Sequence, residues 1–300
     1  MAKTKQSEFS GMSRALVRRE TASAYLFLLP SLVFFVGFVV IPMFICLFSS
    51  FFSYTLGDFK LNGLDNYIRM FTQDPVFWKA FLNTVIIVVV SVPCVTAFSL
   101  WVASAINPMK AVSRSFFRCV FYLPVVTGSV AVSVVWKWMF NPFTGLLNSI
   151  FGTQGYDWLG NSKTALLCII MILFTTSIGQ PIVLYVAALG NVDHSLVEAA
   201  QVDGATRLQV FWKIKWPQMM PTTLYILVIT TINSFQCFAL IQLLTSGGPN
   251  HATDTIMYYI YYQAYKLGDF GYGNAMGVVL AIIIAIFSAL QFKFAKTDNE

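Results

Sequence analysis

Several amide side chains lie within long stretches of the chain that carry no Asp, Glu, Lys or Arg, and four of them are Asn83, Gln180, Asn233 and Gln236. Hydroxyl groups accompany them, at residues 84, 175–177, 230–231 and 234. An amide in apolar surroundings needs a hydrogen-bond partner. A neighbouring helix can supply that partner, and this explanation stays open. Amides and hydroxyls also suit the hydroxyl groups of a sugar, so the four amides are the predicted lining of a polar passage.

A second group of residues, between 193 and 217, has the pattern of a helix, a turn and a helix. Residues 197–202 favour a helix, and Asp193 or Ser195 is suited to cap its start. Gly204 permits a sharp turn. A second short helix is predicted from 206 to about 215, because Pro217 disfavours helix at the residue before it. An ordinary amphipathic surface loop would have the same local signals.

The chain lacks the residue patterns of several catalytic and transport sites. The long uncharged stretches contain no acid, which argues against a proton- or cation-coupled carrier and an intramembrane acid–base enzyme. The two histidines, His194 and His251, do not form an HExxH zinc motif. No Gly-Lys dipeptide occurs, so a phosphate-binding GxxxxGK(S/T) loop is absent. We therefore predict no catalytic residue and no metal site.

The composition indicates a protein that crosses a membrane several times. Apolar residues make up 57% of the 300 residues and charged residues only 11%, whereas soluble domains carry roughly 25% charged residues. A spanning helix needs about 20 apolar residues. Six uncharged stretches approach or exceed that length: residues 21–57, 80–109, 119–136, 164–192, 216–250 and 270–292. We predict an all-α polytopic membrane protein with six transmembrane helices, and we interpret the net charge of +6 as helix orientation rather than nucleic-acid binding.

The distribution of Lys and Arg predicts the orientation of these helices. Thirteen of the 19 basic residues fall on the side that holds both termini and the loops after the second and fourth spans. Basic residues concentrate on the cytoplasmic side, so both termini are expected there. We predict a cytoplasmic tail at residues 1–20, a first transmembrane helix at 21–57 and an extracytoplasmic loop at 58–79. A five-helix core at 80–292 and a second cytoplasmic tail at 293–300 follow.

The loop at residues 193–217 resembles the EAA loop of binding-protein-dependent ABC importer permeases. That motif is Glu-Ala-Ala, three residues, Gly, nine residues, Ile, one residue and Leu-Pro. This chain matches it at the following positions: Glu198, Ala199, Ala200, Gly204, Ile214 and Pro217. Trp216 replaces the Leu, and because both residues are large and apolar we expect the packing to adjust.

Further stretches resemble the sugar permeases of the maltose-transporter type, in particular the first permease of a heterodimeric pair. They are residues 63–67 (GLDNY), 81–84 (FLNT), Arg118 with 121–124 (FYLP), 136–138 (WKW), 141–142 (NP), 245–249 (TSGGP) with Thr253, Thr255 and Tyr258, and 272–275 (YGNA). The resemblance extends from about residue 24 to residue 292. Maltose, lactose and glycerol-phosphate permeases belong to this group, and the absence of a positive residue in mid-span favours a neutral sugar.

The resemblance implies a type I ABC importer permease fold in the cytoplasmic membrane. It implies that the following residues couple this chain to an ATP-binding subunit: Glu198, Ala199, Ala200, Asp203, Gly204 and Arg207. The implied partners are a second homologous permease, two ATP-binding cassette subunits and an extracytoplasmic solute-binding protein. ATP and Mg²⁺ would be bound by the partner subunits, so this chain needs no cofactor. The long loops at 54–79, 141–163 and 244–271 suit docking of the binding protein. The alternative is a self-sufficient carrier or channel for a small polar solute.

Overall fold

The computed structural model describes residues 14–55 and 58–297, and helices dominate this part of the chain. The helices are α1 (Arg14–Phe35), α2 (Ile41–Ser49), α3 (Asp65–Thr72), α4 (Pro75–Ile106), α5 (Ala111–Val126), α6 (Ser129–Met139), α7 (Leu146–Phe151), α8 (Ala165–Ser177), α9 (Gly179–Gly190), α10 (His194–Val202), α11 (Arg207–Val210), α12 (Trp216–Phe235), α13 (Ala239–Leu244), α14 (Ile256–Tyr261) and α15 (Phe270–Thr297). Three π-helical turns, Val36–Val40, Phe211–Lys215 and Tyr262–Lys266, join α1 to α2, join α11 to α12 and follow α14.

Five helical segments of the described chain are long and apolar enough to cross a membrane: Ser23–Ser49, Pro75–Ile106, Ala165–Gly190, Arg207–Leu244 and Phe270–Lys293. A sixth is present if the bent pair α5 and α6 counts as one span. The prediction of a helical membrane protein with six spans is confirmed in this sense.

The third predicted span, residues 119–136, is not one continuous helix. Helices α5 and α6 meet at an angle of 95°. Pro124 has no N–H to donate within α5, and the chain leaves helical geometry at Thr127 (φ −78°, ψ 125°) and Gly128 (φ −60°, ψ 144°). The hydroxyl of Thr127 donates to the carbonyl of Leu123 at 2.9 Å, and the N–H of Thr127 donates to the same carbonyl at 3.2 Å. An uncharged run cannot reveal such a bend, because it reports polarity and not backbone direction.

The predicted end of the second loop helix before Trp216 is wrong. Trp216 is helical (φ −57°, ψ −49°), and the helix continues through Pro217 into α12. The π-helical turn Phe211–Lys215 lies directly before it, and the N–H of Trp216 donates to the carbonyl of Phe211. Proline is tolerated in a first helical turn because that N–H needs no partner. The wider turn thus lets a new helical segment begin at Trp216 without a break in the chain direction.

The fourth and fifth predicted spans are interrupted near their polar residues. The fourth predicted span has a one-residue interruption at Ile178, which separates α8 from α9. Pro181 cannot donate to the carbonyl one turn earlier, which explains the break. Within the run 216–250, α12 ends at Phe235 and α13 begins after three non-helical residues.

The core of the bundle forms where α4, α9 and α12 pack together. Tyr185, Ile182, Met219 and Ile226 are fully buried there. In contrast, the most apolar stretch of the first span contains no buried residue in the isolated chain. Its continuation α2 packs on α15.

A short antiparallel hairpin, which the sequence did not predict, follows α2. Strands β1 (Phe52–Thr55) and β2 (Asp58–Leu61) pair with Phe52 opposite Leu61. The main chain of Phe52 lies so close to Gly271 that a Cβ there would be 2.0 Å from the Phe52 carbonyl oxygen. The glycine therefore allows the hairpin to pack on the start of α15.

Candidate functional site

The start of α9 crosses α5 at very short range, and this crossing positions the predicted polar residues of both helices. A Cβ on Gly179 would lie 2.4 Å from the carbonyl oxygen of Phe121 and 2.7 Å from a methyl group of Val125. Only glycine permits this approach. The crossing brings Gln180, the next residue of α9, against α5.

Two of the four predicted passage amides meet in one cavity. Gln180 of α9 and Asn233 of α12 line a cavity of ≈ 130 Å³. Hydroxyl residues supply much of the remaining wall: Thr176, Ser177 and Thr230. Both amides are exposed in the isolated chain, so their polar groups are available to a ligand or to another subunit.

The third amide, Gln236, lines a neighbouring cavity of ≈ 250 Å³. Thr127 and Ser129, from the bend between α5 and α6, line the same cavity. Val125 and Thr176 line both this cavity and the one at Asn233, so the two are adjacent. The helix break after Phe235 and the bend at Thr127 thus both open onto the same space.

A third cavity, of ≈ 510 Å³, continues this space along α5 and α9. It shares Gln180 and Leu184 with the cavity at Asn233. Arg118 and Tyr122 line it, and Arg118 is the one charged residue among the described residues that line the three cavities. The buried Nε atom of Arg118 has no hydrogen-bond partner within the described chain. We refer to the three cavities together as the polar track.

The sequence placed Thr176 and Thr230 beside the predicted passage amides, but it did not indicate Arg118 as a passage residue. The sequence placed Arg118 just before the third span and predicted no positive residue in mid-span, whereas α5 begins at Ala111 and places Arg118 two turns inside the helix. The signal that was available is its spacing: Arg118 and Tyr122 are one helical turn apart and therefore share a face.

The fourth predicted amide, Asn83, does not line the polar track. It is buried in α4, and its Nδ2 donates to the carbonyl oxygens of Asp254 at 3.0 Å and His251 at 3.3 Å. It therefore holds the loop between α13 and α14 against α4. For Asn83 the other explanation applies, in which the amide forms hydrogen bonds to a neighbouring segment of the chain.

The loop held by Asn83 contains a buried acid. The Asp254 carboxylate lies 2.6 Å from Nδ1 of the half-exposed His251 and is itself 2% exposed. Burial raises the pKa of this carboxyl above its ordinary value, although the hydrogen bond from His251 and the charges of His251 and Lys79 act in the opposite direction. Gly247 (φ +82°) leaves room for it, since a Cβ there would meet Oδ1 of Asp254.

The loop at residues 193–217 forms the predicted helix, turn and helix. Asp193 caps α10 by accepting from the N–H and hydroxyl of Ser195. At the other end, Gly204 (φ +80°) donates to Gln201 and Ala205 donates to Ala200. This pair of bonds is a Schellman turn, which requires a residue with positive φ.

The second helix of the loop starts with a reciprocal cap. The side chain of Thr206 accepts from the N–H of Gln209, whose side chain in turn accepts from the N–H of Thr206. Such a capping box fixes where a helix begins. The turn between the two helices is therefore specified at both ends by hydrogen bonds.

The predicted coupling residues lie on a surface that no other described part of the chain covers. From Ser195 to Val202 no side chain of α10 is buried. Glu198, Ala199, Asp203, Gly204 and Arg207 are exposed, and Ala200 is half-buried. Within the described residues Glu198 forms no ion pair.

Large apolar side chains surround these residues. Val202 is 87% exposed, Leu208 69% and Trp212 53%. In the isolated chain these three side chains are therefore available to another subunit or to the membrane.

No group of three or more His, Cys, Asp or Glu residues that could hold a metal ion occurs in the described ranges. The polar track offers amides, hydroxyls, one guanidinium and apolar walls. Such a set of groups can bind and pass a polar solute, and no acid–base pair lines it.

A known family model matches most of the chain. Residues 70–296 match the family model described as "Binding-protein-dependent transport system inner membrane component". The matched range contains the polar track and the loop at 193–217.

Individual relatives agree with this match. The chain is 35% identical over 294 residues to the probable ABC transporter permease protein YurN of Bacillus subtilis, which covers 95% of this chain and 100% of that protein. It is 31% identical over 274 residues to the multiple sugar-binding transport system permease protein MsmF of Streptococcus mutans, with 90% and 94% covered.

Among solved structures, a bacterial ABC transporter involved in the import of the acidic polysaccharide alginate matches with a TM-score of 0.82. The match covers 94% of this chain and 98% of the other, at 24% sequence identity. Likeness at this identity shows the fold alone.

Proposed function

The chain belongs to the family of binding-protein-dependent transport system inner membrane components, and on this premise we propose that it is the permease subunit of an ATP-driven ABC importer for sugars or oligosaccharides. In this proposal the polar track is its part of the translocation passage, and the loop at 193–217 couples it to an ATP-binding subunit. The chain itself catalyses no reaction.

The observation that supports a sugar most is the wall of the cavity at Gln180 and Asn233. Two amides and three hydroxyl residues face one small space, with apolar residues between them and no acid. Amides pair with sugar hydroxyls both as donors and as acceptors. The name of the relative MsmF, a multiple sugar-binding system, agrees with this class of solute.

The exposure of α10 supports coupling through this loop. Its small residues Ala199 and Ala200 allow close approach, and the exposed apolar side chains on α11 and the turn after it give an interface its buried area. ATP-driven closure of the partner subunits would move α10 as a rigid body and shift the spans to which it is joined. ATP and Mg²⁺ would remain in those partner subunits.

The exposure of Gln180, Asn233 and Gln236 supports a second permease as the other wall of the passage. An amide inside a membrane needs a polar partner or water. A homologous subunit that faces the polar track would shield these amides, and any water bound to them, from lipid. In this assembly both termini and the coupling loop are cytoplasmic, and a solute-binding protein delivers the solute to the opposite side.

The proposal is tested by uptake into proteoliposomes that contain the purified importer. We expect uptake of a labelled oligosaccharide only with ATP on the side of the coupling loop and with the binding protein on the other side. Uptake by this chain alone, without ATP, would instead identify a self-sufficient carrier or channel.

A further inference from the structure

The segment between α6 and α8 contains a rigid loop with an apolar outer surface. Its short helix α7 exposes Leu146 (44%) and Ile150 (66%), and the preceding turn exposes Phe143 (81%). Leu146 and Ile150 are one helical turn apart and so lie on one face. Within the described chain nothing covers these side chains.

The charge pattern separates this loop from an ordinary surface loop. No charged residue occurs from Trp138 to Tyr156, and Lys137 and Asp157 stand immediately outside the two ends. A loop that faces water on all sides would be expected to carry charge along its length. Aromatic residues occupy both ends, and such residues concentrate where a membrane meets water.

Side chains of the loop satisfy several of its own backbone polar groups. The buried side chain of Asn148 donates to the carbonyl oxygens of Asn141, Pro142 and Tyr156, at 3.2, 3.0 and 2.9 Å. Its Oδ1 accepts from Thr153 and from Trp158. Lipid cannot supply hydrogen bonds to a peptide group, so a segment that enters lipid must supply them internally.

Further bonds complete this internal pairing. The side chain of Asn141 accepts from the N–H groups of Phe143 and Thr144, both at 3.0 Å, and the N–H of Gly155 donates to Pro142 at 2.8 Å. The loop thus pairs many of its polar groups internally and exposes apolar side chains.

We propose that the loop from Asn141 to Tyr156 is seated in the membrane interface, with Phe143, Leu146 and Ile150 inserted among the lipids. An interfacial helix of this type has an apolar face in the acyl boundary and polar flanks at the headgroups. Helix α6, which precedes the loop, carries an exposed apolar stripe of its own, formed by Val130, Val134 and Trp138, which are 63%, 63% and 57% exposed. This position of the loop requires only that the chain is inserted in a membrane, and it does not depend on the identity of the solute or of the coupling partner.

This inference limits the region available for a binding protein. The long loop at 141–163 was expected to dock that partner, and only its charged end, from Asp157 to Lys163, stays free for docking. The interfacial loop would instead hold the ends of α6 and α8 at a fixed depth.

The test uses a photo-crosslinking benzophenone amino acid in the complete importer, reconstituted in nanodiscs of defined phospholipid. The probe replaces Ile150 in one sample and Phe143 in a second, and Gln154, an exposed polar residue of the same loop, in a control. Mass spectrometry then identifies the adducts with and without the binding protein.

We expect lipid adducts from positions 150 and 143 in clear excess over position 154, unchanged by the binding protein. An adduct of the probe at 150 with the binding protein or with a second permease would overturn the proposal. So would the absence of lipid adducts at both 150 and 143, or equal amounts of lipid adduct at 150 and 154.

Discussion

The carbonyl oxygen of Phe121 lies 2.4 Å from the position that a Cβ on Gly179 would occupy. This contact sets the distance between α5 and α9, the two helices that line the Arg118 end of the polar track. Because a carbonyl of a helix cannot rotate away as a flexible side chain can, the whole helix must move if the glycine is replaced.

Replacement of Gly179 by Ala is expected to separate α5 from α9 and to lower stability by about 1–3 kcal/mol, the usual cost of overpacking. The thermal melting temperature of the purified importer measures this loss. Gly190→Ala, at the end of the same helix, is the matched control, since nothing lies within 4 Å of its Cβ position. Equal melting temperatures for both variants would show that the crossing is not tight.

The amides of the polar track are expected to act on transport rather than on folding. Asn233→Leu and Gln236→Leu each remove exposed hydrogen-bonding groups, so we expect kcat/KM for uptake to fall roughly 2- to 10-fold per lost bond of about 0.5–1.5 kcal/mol. Assembly should be unchanged. Unaltered uptake kinetics in both variants would indicate that these residues contribute to helix packing and not to the passage.

Asn83→Leu is the matched contrast for that pair. Its amide is buried and bonded to two carbonyls, and their loss is expected to cost about 1–3 kcal/mol of stability. A lower melting temperature, with normal kinetics for the protein that remains folded, is the expected outcome.

Gly204→Pro is expected to leave the chain inserted and assembled but to abolish substrate-stimulated ATPase activity. Proline cannot adopt the φ of +80° found here and cannot donate to Gln201. Gly204→Asn is the control, because Asn tolerates positive φ better than other residues and keeps the N–H. Normal stimulated ATPase in the proline variant would exclude a rigid coupling lever.

Much of this architecture could be predicted from the sequence, and the missing parts have physical reasons. The span at 80–109 corresponds to α4, and the caps at Asp193 and Gly204 were visible because short-range spacing determines them. The 95° bend between α5 and α6 was not, since the uncharged run on which the span was predicted continues through Thr127, Gly128 and Ser129. Likewise, the separation of Asn83 from the other three amides depends on how distant segments pack, which residue type and position along a helix do not specify.

The loop at Asp254 is expected to respond to acid in a defined direction. Its folded pKa lies above the unfolded value of 3.8, so the folded state binds the proton more tightly. The stabilisation that the protonated Asp254 carboxyl gives the folded state is complete below the unfolded pKa and is lost as the pH rises through the folded pKa. Asp254→Asn should therefore remove this group's contribution to the pH dependence of melting, which begins near the unfolded pKa of 3.8 and extends upward from it. An unchanged pH profile in the variant would contradict the assignment.

The most direct measurement for the permease assignment is purification of the tagged chain from its own membranes in a mild detergent, with quantitative mass spectrometry of the bound proteins. The assignment predicts a second, homologous multi-span permease and an ATPase with a phosphate-binding loop, and it predicts that Gly204→Pro retains the permease. Recovery of the chain without either subunit, together with solute movement in ATP-free liposomes, would contradict it and identify a carrier.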